Sequence, residues 1–281
     1  MILVFGKSGQ LASELAEYPG VMCLGRESAD FKHPGSCKEV ILKYKPKAII
    51  NAAAYTSVDS AELNEAEAYT INSEAPAIIS RTCFELGIPL LHISTDYVFS
   101  GTGIKPWTER DQAKPINIYG KSKLMGETAV ISCNPLTTVL RTSWVYSKYG
   151  SNFLKTILAL SNEKSEINVV NDQFGAPTSA KELARACLFV LQETIKQPKI
   201  HGIYHFCGDK NLNWASFARL ILKIAKKDTI VLPYSSKCLG AVAKRPKNSR
   251  LDTTLFYNQF NFKHASIKKC LHQTLAELNN N

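Results

Sequence analysis

The chain has 281 residues, 45% of them hydrophobic and 21% charged, and a formal net charge of +10. That length can bury a large core, as one domain or as a domain plus a lobe, and no apolar stretch is long enough to span a membrane. The eight cysteines are scattered with no C-x-x-C pair, which argues against a disulfide framework or a cysteine zinc site and for reduced, buried thiols in a cytoplasmic protein. The charge is uneven: 15 of the 34 Lys and Arg, but only 4 of the 24 Asp and Glu, lie from Lys196 onward. A basic C-terminal third can attract an anionic substrate. No aromatic-interleaved basic motif for nucleic acid accompanies it, and a solvated lysine-rich surface is the plainer reading of most of these residues.

The opening run Ile2-Leu3-Val4-Phe5 is too short for a secretory leader and reads as a buried strand of a parallel sheet. Ser8 to Tyr18 then reads as a helix, with Leu11, Leu15 and Tyr18 on one face. The stretch between, Gly6-Lys7-Ser8-Gly9-Gln10-Leu11-Ala12, is a strand–turn–helix corner. It is a spacing variant, G-x-x-G-x-x-A, of the dinucleotide-binding fingerprint, in which glycine lets a ligand approach the backbone and the helix N-terminus suits a pyrophosphate. Taken singly it is a weak signal, since glycine also ends strands for structural reasons.

Further strand-like and helix-like stretches alternate. "AIINAAA" precedes the long pattern Asn64 to Leu86, and "PLLHIST" precedes a loop and "NIYGKSKLMGETAVI". "TTVLRTSWVY" precedes "NFLKTILAL", "INVV" precedes "SAKELARACLFVLQET", and "GIYHF" precedes "WASFARLILKIAKK". The alternation predicts an α/β fold, a doubly wound parallel (Rossmann) sheet with ligands at the carboxyl ends of its strands. From about Lys210 the pattern is less regular. The expected division is 1–207, mainly dinucleotide-binding, and 208–281, mainly a smaller C-terminal substrate-binding lobe, with a contribution from about 144–165.

Tyr119 and Lys123 lie at i and i+4 of a predicted helix and so share a face. An ammonium beside a phenol favours the phenolate, and proton transfer is most effective when the catalytic pKa lies near ambient pH. Thr95, at the end of a preceding strand, offers a hydroxyl to a substrate carbonyl. A nucleotide-binding corner, a strand-end hydroxyl and Tyr-x-x-x-Lys, in that order, are far more specific together than singly.

These residues, with "GKSGQLASEL", "INAAAYTSVDSAE", "HISTDYVFSGTG", "RTSWVYSKYGSNF", "NDQFGAPTSAKELA" and "RPKNSRLDT", resemble the extended short-chain dehydrogenase/reductase superfamily and, within it, the dTDP-4-dehydrorhamnose reductase family. The resemblance runs nearly end to end. It implies hydride delivery from a nicotinamide cofactor to the 4-keto carbon of a dTDP-linked 6-deoxyhexulose, for surface polysaccharide. Tyr119 would donate the proton, Lys123 would lower its pKa and bind the nicotinamide ribose, and Thr95 would orient the carbonyl. Thr95, Asp96 and Trp144 would contact substrate. Gly6, Gly9, Gln10 and Leu11 would hold the pyrophosphate, Asp30 and Phe31 would flank the adenine, and Ala52, Ala53 and Ala54 would line the adenosine side.

Arg26, at the end of the second strand where many relatives place an acid, favours NADPH over the alternative, NADH. Arg245, in "RPKNSR", suits a diphosphate, or belongs to a capped surface loop. Asn72 is a candidate for a proton relay or only bonds neighbouring backbone, and His201 and His205 read as structural. The resemblance also allows magnesium held by glutamates at a homodimer contact: Glu14 and Glu182 match two positions, and no third ligand is matched. The alternatives are a reductase of another nucleotide-linked 4-keto sugar, or a regulatory subunit of the same fold, which the intact Thr95, Tyr119 and Lys123 oppose.

Overall fold

Four strands near the N-terminus and two later ones build the central sheet. They are β1 (Ile2–Phe5), β2 (Val21–Leu24), β3 (Ala48–Asn51), β4 (Leu90–Thr95), β5 (Thr138–Thr142) and, after four short strands outside this sheet, Gly202–His205. The computed structural model describes residues 1–197, 199–238 and 240–279. All six strands run parallel, in the order β2-β1-β3-β4-β5 followed by Gly202–His205. The chain therefore reverses its direction of winding between β1 and β3, and a crevice opens there at the carboxyl ends. The doubly wound fold read from the sequence is the fold observed.

Helices cover both faces. On one, α1 (Gln10–Leu15) and the long helix Ala180–Lys196 bury Leu11, Leu15, Leu183, Cys187 and Val190 against Val4, Ile50 and Leu91. On the other, helices Gly35–Tyr44 and Ala75–Glu85 bury Ile41, Ile79 and Cys83 against Leu3, Phe5 and Ile49. The long pattern from Asn64 is not one regular helix: Thr70–Glu74 forms a π-helical turn. There the backbone carbonyl of Asn72 lies against Gly126 so closely that any Cβ at position 126 would collide with it.

"INVV" departs from expectation. Glu166–Val170 does not join the central sheet but pairs in parallel with Ile230–Tyr234. With helices Phe153–Glu163, Trp214–Ile224 and Ile267–Asn279 it forms a separate apolar core around Leu154, Ile167, Phe217, Ile221 and Leu271. Its strand faces only one helical layer, so its alternating burial fits a small side sheet better than the doubly covered centre. Thr254–Phe260 returns to the main core, where Phe256 and Phe260 pack on Phe206 and Tyr204. The seven cysteines whose side chains are described are all free. Among the described residues no helix is long and apolar enough to cross a membrane.

Candidate active site

Two cavities meet at the switch point. The first, about 310 Å³, lies between the glycine corner and the end of β2 and is lined by Gly6, Gly9, Arg26, Asp30, Phe31 and Ala52 to Ala54. The second, about 490 Å³, continues past Gly9 and Gln10 to Thr95, Asp96, Tyr119, Lys123, Trp144 and Trp214. Ser8, Gly9, Ala52, Ala54 and Thr56 line both. Gly6 has φ of 103°, and a Cβ there would stand 3.3 Å from the Ala53 nitrogen. The corner is thus tight because a left-handed residue must pass directly under the backbone that follows β3. A Cβ at Gly9 would meet nothing within 4 Å and would instead fill the space over the first turn of α1. Glycines, small alanines and an open helix start fit a dinucleotide laid along this crevice.

At the adenine end, Arg26 is exposed and Phe31 is buried with its ring edge-on to Phe5, 5.6 Å between centroids. Asp30 Oδ1 accepts the Lys32 backbone N–H at 3.0 Å, so this carboxylate fixes the turn it sits on. Lys7 is held by Glu27 at 3.0 Å beside the same crevice.

The long helix carrying Tyr119 and Lys123, α2, spans Ile118–Cys133. Asn117 caps it, accepting the Gly120 N–H at 2.7 Å while its own amide donates to Lys244 O at 2.8 Å. The cap therefore ties the catalytic helix to the segment holding Arg245. Thr95 caps the short turn after β4: its hydroxyl accepts the Tyr97 N–H at 3.2 Å and donates to Asp96 Oδ1 at 3.1 Å. Asp96 Oδ2 is buried with no hydrogen-bond partner. Burial pushes the Asp96 carboxyl up to about 7, against the pull of the Ser249 and Thr95 hydroxyls.

Burial likewise pushes the Tyr119 phenol up to about 12, with the neighbouring Thr95 hydroxyl working the other way. Sequence reasoning expected Lys123 to lower it. Lys123 is itself lowered to about 8 by burial, with Glu127 pulling the other way. Its Nζ donates to the Ile93 carbonyl at 2.7 Å.

Trp144 follows β5 with φ of 49°, a strained value for a bulky residue, and stacks on Trp214 at 3.5 Å between centroids and 8° between planes. It is half-buried and walls the second cavity. Arg245 is not part of that wall. It pairs with Asp59, Nη2 to Oδ2 2.6 Å, at the cavity's flank.

Asn72 is fully committed elsewhere: its side chain accepts from Tyr55 N at 2.8 Å and donates to Tyr55 O and Ser122 Oγ. It braces the Tyr55 backbone and α2, as the backbone-bonding alternative describes. His205 is buried against Trp107 O and Arg141, and His201 is exposed. Within this chain magnesium finds no support. Glu182 is engaged by Arg185 and by the Ala265 N–H, and Glu14 lies among Lys148, Lys181, Glu17 and Glu277. Among the described residues no group of three or more His, Cys, Asp or Glu is placed to hold a metal.

Sequence reasoning missed several participants. Trp214 opens a helix 70 residues beyond Trp144, and no local periodicity links them. Asp59, the partner of Arg245, reads as an ordinary first-turn acid. Arg141 and Glu127 form a buried bidentate pair, 2.6 and 2.8 Å, beneath the end of β5. An Arg inside "TTVLRTSWVY" was the available signal, since a charge in a buried strand needs a partner.

The parallel sheet, its glycine corner and the Thr95, Tyr119 and Lys123 set define an extended short-chain dehydrogenase/reductase. Residues 1–280 match the model of the RmlD substrate binding domain, and the chain belongs to that family. It is 39% identical over 275 residues to the dTDP-4-dehydrorhamnose reductase of Salmonella typhimurium, covering 92% of this chain and 91% of that one. Among solved structures it is similar to dTDP-4-dehydrorhamnose reductase from Bacillus anthracis in complex with NADP, with TM-score 0.92, 33% identity and 98% of each chain covered. The ortholog from Clostridium acetobutylicum matches with TM-score 0.91 and 32% identity over 99% of each chain.

Proposed function

We propose that this chain is an NADPH-dependent reductase that converts the 4-keto group of dTDP-4-dehydro-L-rhamnose to the alcohol of dTDP-L-rhamnose, for surface polysaccharide. The observation that carries the reading is the gathering of Thr95, Tyr119 and Lys123 on one cavity continuous with the glycine corner. NADPH, when bound, supplies the hydride. Gly6, Gly9, Gln10 and Leu11 would receive its pyrophosphate, and Phe31 and Ala52 to Ala54 its adenosine. Arg26 would meet the 2′-phosphate, with Lys7 beside it.

The remaining work falls to side chains of this chain. The Thr95 hydroxyl and Tyr119 phenol converge on the place where a keto oxygen would lie. As negative charge grows on that oxygen, Tyr119 gives up its proton to it. An ammonium at Lys123 offsets the charge left on the phenolate. Asp96 presents a buried, unpartnered oxygen to a sugar hydroxyl. Trp144 and Trp214 wall the sugar side and exclude water, which strengthens each of these interactions. The 208–281 segment, with a contribution from about 144–165 and apart from Thr254–Phe260 on the main core, would serve as the substrate-binding lobe, with Arg245 at its edge for the diphosphate. A homodimer is part of this reading, but magnesium contributes no step to it.

The test is consumption of NADPH that depends on the keto-sugar, made in place by an epimerase. The reading expects absorbance loss at 340 nm with the unmodified protein, an order-of-magnitude or greater loss of rate in Tyr119→Phe, and retained cofactor binding in that variant. Cofactor binding without any keto-sugar reduction would favour the regulatory alternative.

A further inference from the structure

Beneath Lys123 lies a chain of buried polar groups that the reaction as described does not use. Asn51, at the end of β3, and His92, in β4, are both essentially inaccessible, as is Lys123. The Ala53 backbone N–H donates to Asn51 Oδ1 at 3.2 Å. A backbone N–H can only donate, so it fixes which way the amide points. Asn51 Nδ2 therefore donates to His92 Nδ1, 3.1 Å away. A neutral imidazole that accepts at Nδ1 carries its proton on Nε2. Nε2 faces Lys123 Nζ at 3.5 Å.

Each link in this series donates toward the lysine. An amine can accept from Nε2–H through its lone pair while giving one N–H to the Ile93 carbonyl, 2.7 Å away. An ammonium has no lone pair, and the positive end of the imidazole would face its charge. We infer that Asn51 and His92 are positioning residues which favour the neutral amine of Lys123 over its ammonium in the free protein, so that binding of the nicotinamide cofactor draws a proton onto Lys123. The inference deepens the reductase reading and rests on the cofactor site proposed there.

The other groups around Lys123 set the balance. Glu127, one turn on along the same helix, favours the ammonium, but it is locked to Arg141 of β5. Tyr119 lies one turn back on the cavity side, and Asp96, after β4, acts on Tyr119. Asn72 and Ser122, toward the π-helical turn, are neutral and bonded to each other. Burial is the main cause that lowers Lys123, to about 8. The ribose hydroxyls and phosphates of the cofactor would supply the acceptors and negative charge that an ammonium needs, so the pKa rises in the complex. His92 is itself held well below its ordinary value by burial and by Lys123, and stays neutral throughout.

The test is titration calorimetry with NADPH at pH 8 in buffers of different ionisation enthalpy, which reads net protons bound. A site half-protonated when free and fully protonated when loaded takes up about half a proton per cofactor. Uptake should vanish in Lys123→Met and fall at least two-fold in His92→Phe and in Asn51→Leu, which frees the imidazole to present Nε2 as an acceptor. NADPH binding to the unmodified protein without uptake would overturn the inference, as would uptake that persists in Lys123→Met or is unchanged in both relay variants. Absence of any NADPH binding would instead overturn the reductase reading beneath it.

Discussion

Trp144 and Trp214 lie face to face, 3.5 Å between ring centroids, with Trp144 held at a φ of 49° to get there. The pair joins the end of a central strand to the first helical residue of the side core, so the substrate cavity is closed by one residue from each. An aromatic pair adds about 0.5–1.5 kcal/mol beyond its buried area, which offsets only part of the roughly 1–3 kcal/mol that such a φ stores. A bound sugar nucleotide is therefore expected to compete with the stack. Adding dTDP or dTDP-rhamnose should change tryptophan fluorescence, and Trp214→Phe should remove most of that change. An unaltered spectrum on saturation would mean the ligand lies elsewhere.

Tyr119→Phe keeps the ring packed against Tyr97, edge-on at 5.4 Å, and deletes only the proton donor. Turnover should fall about a hundred-fold or more while NADPH affinity changes less than about three-fold. Single-turnover mixing, which isolates the chemical step, is the measurement. Near-normal turnover there would remove Tyr119 from the proton-donor role.

Arg26 is exposed just after β2 and lines the first cavity, where the neighbouring acid Glu27 is paired with Lys7 and Asp30 accepts from the Lys32 N–H. Arg26→Asp should lower kcat/KM with NADPH by about ten-fold or more and leave NADH little affected, because a charged hydrogen bond to phosphate is worth about 1.5–3 kcal/mol. Equal efficiency with both cofactors in the unmodified protein, unchanged by the substitution, would contradict this.

Asp96 and Glu14 give the protein a stability that declines as pH rises. Both carboxyls are raised by burial to about 7, from ordinary values of 3.8 and 4.5. Between those limits the folded protein binds more protons than the unfolded one, so stability falls across that window and levels off above it. Asp96→Asn and Glu14→Gln should each flatten the decline by an amount on the order of a few kcal/mol. Thermal melts at pH 5 and pH 7.5 measure it, and an unaltered difference between those two pH values in both variants would rule these two groups out.

The central sheet was legible because a strand covered on both faces writes itself as an unbroken apolar run, as in Ile2 to Phe5 and Ala48 to Ile50. The crevice residues were legible because they follow such runs directly. "INVV" reads as apolar too, but a run of that kind does not say which sheet it joins. That is set by Ile230–Tyr234, more than 60 residues away, where Pro233 and exposed Leu232 weaken the strand pattern. The pair Arg245–Asp59 and the stack Trp144–Trp214 are long-range contacts with no periodic trace. Tyr-x-x-x-Lys spacing shows that Tyr119 and Lys123 share a helix face, while the burial that shifts both groups is not carried by the spacing.

The central claim is hydride transfer to C4 of the dTDP-linked keto-sugar with the proton from Tyr119. The most direct measurement uses NADPH deuterated at nicotinamide C4, in separate preparations carrying the label on each face, with dTDP-4-dehydro-L-rhamnose generated in place and the product read by NMR. The expected result is dTDP-L-rhamnose with deuterium at sugar C4 from one labelled preparation and not the other. A product of talo configuration, deuterium at another carbon, or no deuterated sugar with cofactor-competent protein would contradict it.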